Sequence, residues 1–132
     1  MKSEYAEYLN RKYGEELKKF GFVFGGIEHI GYNTDESHEG YFKLHYYIDN
    51  KLTDYEGGFL NIYVDEKKGK ITDIELELRT PTKYYHITES KSMGNLLSVL
   101  RDIKLELDKE RMKAWPWKKG IRKDTCYQKK QE

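Results

Sequence analysis

At 132 residues, with 37% hydrophobic and 36% charged side chains and a net charge of +1, the chain is long enough to bury a core and too polar for a membrane protein. Its single cysteine, Cys126, excludes an internal disulfide, and its longest mostly apolar run, Phe20–Ile27, is broken by three glycines and is far shorter than a membrane span. Charge is unevenly placed: thirteen acids stand against seven bases from Glu28 to Ser90, a net of −6, and nine bases against three acids from Lys109 onward, a net of +6.

Such a dipolar chain either steers partners or folds its basic end over its own acidic middle. Met1 leads into Lys2, Ser3 and Glu4, which is not the pattern of a signal peptide. With one cysteine, this predicts a soluble protein of the cytoplasm.

The first predicted element is an amphipathic helix over Lys2–Phe20, in which Tyr5, Tyr8, Leu9, Tyr13, Leu17 and Phe20 recur at three- and four-residue spacings. Gly21 is a natural stop. Phe22–Tyr32 predicts a strand, and its glycines Gly25, Gly26 and Gly31 point to a bulge or a close backbone approach.

After the polar connection Asn33–Glu39, strands are expected at Gly40–Asp49, Gly58–Asp65 and Lys70–Thr80, with a further short one at Lys83–Ile87 after Pro81. The loop Asp65–Lys70 places Gly69 for positive φ between two alternating strands. Period-two alternation puts Phe42, Leu44, Ile48, Leu60, Ile62, Val64, Ile74, Leu76 and Leu78 on one dry face. Thr88 or Ser90 is the expected cap of a second helix running to about Lys113, with Met93, Leu96, Leu97, Leu100, Ile103 and Leu107 as its apolar stripe.

The fold class that follows is α+β in a single domain, 1–132. It comprises an N-terminal helix, an antiparallel meander of four or five strands, a long C-terminal helix packed on one sheet face, and a basic tail fraying over about 119–132.

The other face of the sheet carries more than solvation requires. Tyr41, His45, Tyr47, Phe59, Asn61, Tyr63, Asp73, Glu75 and Glu77, joined by Tyr84, fall on it. Tyrosines offer large rigid contact area and the acids offer charge selectivity, so these residues predict a docking patch for a protein partner, a small ligand or a second copy of the chain.

Catalytic readings are weaker. His45 and Asp49 are four apart and share the wet face of a continuous strand, and His86 joins them from the last strand, which would suit a metal-independent hydrolase or nuclease. Asp65, Glu75, Glu77 and Arg79 only loosely follow a metal-nuclease spacing, since the final position is Arg and pairs with Glu77. His38 and His45 are seven apart, hence on opposite faces, and His38-Glu39 lacks the second histidine of a zinc-protease motif. Gly21, Gly25 and Gly26 follow a helix instead of preceding one, which is the wrong order for a phosphate cradle, and Cys126 has no local histidine. No cofactor and no metal are therefore expected.

Trp115 and Trp117 flank Pro116 and precede Lys118, Lys119, Arg122 and Lys123, so bases could stack on indole while cations track phosphate. Single-stranded nucleic-acid binding is the alternative this motif supports, against the simpler packing of both tryptophans on the domain. The leading expectation is a small cytoplasmic binding protein acting by occupation, of inhibitor, immunity or anti-defence type, encoded on a phage or other mobile element, without turnover and without a membrane.

Overall fold

Alternation of apolar and polar side chains is satisfied by a sheet with one dry face, and the computed structural model has that sheet. It describes residues 3–114 apart from 31–39, 52 and 54. In chain order the elements are α1 (Glu4–Lys19), β1 (Phe22–His29), β2 (Tyr41–Ile48), β3 (Gly57–Asp65), β4 (Lys70–Arg79), β5 (Tyr84–Ser90) and α2 (Met93–Ala114). The five strands form one antiparallel sheet in the order β1-β2-β3-β4-β5, the meander expected of hairpin-connected strands.

All nine residues expected on the dry face are buried, and Leu44, Leu60, Ile74, Leu76 and Leu78 are wholly shut off from solvent. Tyr46 and Phe22 are buried beside them. The Tyr46 hydroxyl donates to Asn10 Oδ1 at 2.7 Å, which satisfies the phenol and ties α1 to β2.

The N-terminus of α1 is capped by Ser3, whose Oγ accepts from the Ala6 amide. Glu4 and Glu7 in the first turn and Lys18 and Lys19 in the last complement the helix dipole. The amides of Phe20 and Gly21 close the helix on the carbonyls of Leu17 and Lys18. Its dry stripe is narrower than the spacing predicts: Ala6, Leu9 and Leu17 are buried, while Tyr8 is 44% exposed. Each helical step turns about 100°, so Tyr8 stands well off the line of Leu9 and Leu17. Lys12 lies 5.7 Å from its ring centroid.

The glycines of β1 do mark a bulge. The register with β2 shifts between Phe24 and Gly26, and Gly25 occupies the extra position. A Cβ at Gly25 would come within 2.8 Å of His45 Cδ2. The bulge also reverses the parity of the strand. Phe22 and Phe24 lie opposite Ile48 and Tyr46, whereas beyond the bulge Ile27 and His29 lie opposite Leu44 and Phe42. At the β3–β4 turn Gly69 has φ 60°, as the loop predicts.

The expected cap of α2 is corrected. Thr88 and Ser90 belong to β5, which keeps pairing with β4 through a register shift that sets Ile74 opposite Ser90. The helix starts after Ser92, whose Oγ accepts from the Asn95 amide at 3.2 Å. All six expected stripe residues of α2 are buried, and Leu105, off the stripe, is 59% exposed. By contacts the chain divides into two compact units, Met1–Ser98 and Val99–Glu132, with the boundary inside α2. Among the described residues no helix is long and apolar enough to cross a membrane.

Candidate functional site

Antiparallel register sets the predicted patch in rows on the face opposite the core. Lys43, Tyr63 and Asp73 form one row; His45, Asn61 and Glu75 the next; Tyr47, Phe59, Glu77 and His86 the third. Tyr41 stands at the end of β2 opposite Asp65. The nine residues read from the alternation thus share one sheet face and lie in the first unit of the chain.

The middle row is a hydrogen-bonded chain. Asn61 Nδ2 donates to Glu75 Oε1 at 3.2 Å, and Asn61 Oδ1 lies 2.7 Å from His45 Nδ1. A carboxylate only accepts, so the amide is oriented with its nitrogen toward Glu75 and its oxygen toward His45. His45 therefore donates from Nδ1 to this oxygen. Asn61 is 8% exposed and holds its neighbours from within the row.

Tyr63 donates to Glu75 Oε1 at 3.3 Å, and His86 Nε2 lies 3.7 Å from Glu75 Oε2. Burial, then the negative charge of Glu75, pushes the Tyr63 phenol above its ordinary range. In the third row Glu77 accepts from Tyr84 at 2.7 Å and from Arg79 at 3.2 Å. The bond to Glu77 raises the Tyr84 phenol as well. Tyr47 lies in a near-parallel stack with His45, ring centroids 6.5 Å apart.

Two cations of this face, Lys43 and Arg79, are engaged. Lys43 pairs with Glu28 at 3.0 Å, and that bond raises its pKa; Arg79 pairs with Glu77. Glu28 is an even-numbered residue that a straight β1 would send to the dry face. Only the Gly25 bulge sets it opposite Lys43, and the Gly25-Gly26 pair is the sequence signal for it. One carboxylate oxygen, Asp73 Oδ1, is buried without a hydrogen-bond partner.

Between Tyr63 and Val64 the register of β3 with β4 shifts, with Thr72 as the extra residue. Beside this bulge opens a cleft of about 460 Å³ lined by Tyr41, Tyr63, Thr72, Asp73, Glu75 and Thr88, together with the apolar Ile30 and Val64. Neither Thr72 nor Thr88 is singled out by the alternation, because both positions are set by irregularities in strand pairing.

Two expected juxtapositions do not form. Asp49 lies past the end of β2, and its Oδ1 accepts from the Lys51 amide at 3.0 Å, so it serves a turn and not His45. Asp65 is buried and accepts from the Lys68 amide at 3.2 Å; paired with Lys70, it sits at the opposite end of β4 from Glu77. Among the described residues no group of three or more His, Cys, Asp or Glu is placed to hold a metal ion. Trp115, Trp117, Lys118, Lys119, Arg122 and Lys123 lie outside the described residues, as do His38 and Cys126.

Comparison with protein-family models, with curated proteins and with solved structures returns no match. The chemistry of this face therefore stands on its own geometry. It consists of aromatic surface, carboxylates and two imidazoles, with His45, Asn61, Tyr63 and Glu75 joined by side-chain hydrogen bonds.

Proposed function

We propose that the chain acts by occupation: the wet face of the sheet docks a protein partner through a basic segment. The observation that carries this reading is the hydrogen-bonded row His45–Asn61–Glu75, with His86 Nε2 3.7 Å from Glu75 Oε2, which orders polar side chains that an idle surface would leave free. Ordering these groups before contact lowers the entropy lost on association.

The charge of the face supports a basic partner. Among the described residues of the face, Glu28, Asp65, Asp73, Glu75 and Glu77 stand against Lys43, Lys70 and Arg79, and Lys43 and Arg79 are already paired. Tyr47 and Tyr84, 44% and 57% exposed, supply aromatic area of the kind that concentrates interface energy. The role that fits is that of a cytoplasmic inhibitor, immunity or anti-defence protein of a phage or mobile element.

The test is native purification of the full chain from its host, identification of the retained protein, and measurement of Kd for Tyr47→Ala and Glu77→Lys. A loss of at least tenfold with an unchanged melting temperature is expected. Unchanged affinity in both variants, or retention of single-stranded nucleic acid in place of protein, would overturn the reading.

A further inference from the structure

We propose that the cleft beside the Thr72 bulge is a binding site for an organic ammonium cation. It lies at one end of the docking face and shares that face with the reading above, but it makes a separate claim about ligand chemistry.

Three observations converge on it. The cleft, about 460 Å³, is large enough for a cation carrying several carbons and is of the size small-ligand sites have. Its lining combines two tyrosines, Tyr41 and Tyr63, with two carboxylates, Asp73 and Glu75. An ammonium is held by the negative face of a phenol ring and by a carboxylate together, whereas an anion would meet repulsion from both.

The third observation is the unmatched charge. Asp73 Oδ1 is buried and has no hydrogen-bond donor. A buried acceptor left unpaired is costly, more so when charged, and a cation entering beside it offsets that cost. Among the described residues that line the cleft there is no Lys or Arg, and Lys43 is bound to Glu28 and Arg79 to Glu77.

Thr72 and Thr88 add hydroxyls to the lining. Ile30 and Val64, also in the lining, suit the alkyl part of the ligand better than a hydrated metal ion. The same chemistry is offered by a free alkylamine and by a lysine side chain of a protein partner.

The experiment is an amide NMR titration of the full chain with n-butylammonium, n-butanol, calcium, and a glycine-flanked lysine peptide. Saturable shifts at Tyr41, Tyr63, Thr72, Asp73 and Thr88 are expected with butylammonium and not with butanol or calcium. Asp73→Asn is expected to weaken binding at least tenfold, and Tyr41→Leu, which leaves both carboxylates in place, severalfold.

A peptide bound at least tenfold more tightly than butylammonium assigns the site to a partner's lysine; equal or weaker peptide binding assigns it to a free amine. The site is overturned by the absence of saturable shifts, by an equal response to butanol or calcium, or by unchanged binding in both variants. Failure here with the partner affinity of Tyr47 intact removes the ammonium site alone. Retained ammonium binding with no Tyr47 effect removes the docking surface alone.

Discussion

Glu66 and Ser3 are 63 positions apart in sequence, yet Ser3 Oγ donates to Glu66 Oε1 at 2.5 Å while the same oxygen accepts from the Tyr5 amide at 3.0 Å. The carboxylate sits on the turn between β3 and β4 and closes the open end of α1. It satisfies one of the orphan amides there and sets a negative charge at the positive pole of the helix.

Glu66→Ala is therefore expected to cost about 1–2 kcal/mol, the scale of losing a helix cap with a charged acceptor. Urea denaturation of the variant measures it directly. A midpoint equal to that of the unaltered chain would show that Ser3 caps the helix unaided.

Asn61→Asp places a second carboxylate against Glu75 inside the His45 row. Burial and like charge both raise the folded-state pKa of the new acid above its unfolded value. The sign follows: below the unfolded pKa the acid is neutral in both states and carries no charge penalty. Destabilisation then grows as pH rises through and beyond the unfolded value. Melting temperatures from pH 3 to 8 are expected to diverge from those of the unaltered chain as pH rises, and parallel curves would contradict it.

Burial pushes the Tyr46 phenol far above its ordinary value, and burial together with Glu75 raises Tyr63. Stability from keeping these phenols neutral is fully present below the unfolded tyrosine pKa of about 10. It declines as pH climbs from there through the folded values, because only the unfolded chain ionises readily. Chemical denaturation at pH 9, 10 and 11 is expected to show this loss. Tyr46→Phe is expected to flatten it while costing about 1 kcal/mol at neutral pH for the bond to Asn10.

Leu76→Ala is expected to cost about 2–5 kcal/mol, since the side chain is wholly buried and its removal leaves a cavity. Leu105→Ala, on a residue 59% exposed, is expected to stay within about 0.5 kcal/mol of neutral. Thermal unfolding of the two variants side by side checks both, and a Leu105 effect as large as that of Leu76 would place the α2 stripe elsewhere.

The dry face was legible position by position, because a pleated strand has a period of two and any slip would send Leu44, Leu60 or Leu76 into water. The stripe of α2 was legible for the same kind of reason. The stripe that α1 buries is narrower than its spacing implies. Tyrosine suits a half-wet position as well as a buried one, so spacing alone did not separate Tyr8 from Leu9.

Sequence alone determined which side chains alternate, and with that the α+β class, the meander and the face on which the alternating residues of β2, β3 and β4 fall. Tertiary structure decided what those side chains do to one another. Three bulges, at Gly25, at Thr72 and near the end of β5, shift register by one residue, and a shift of that size changes every partner beyond it. This is why Glu28 reaches Lys43, why a cleft opens beside Asp73, and why Thr88 lines it instead of capping a helix. Periodicity is a property of single strands, whereas a hydrogen bond such as His45 to Asn61 depends on which rungs of neighbouring strands meet.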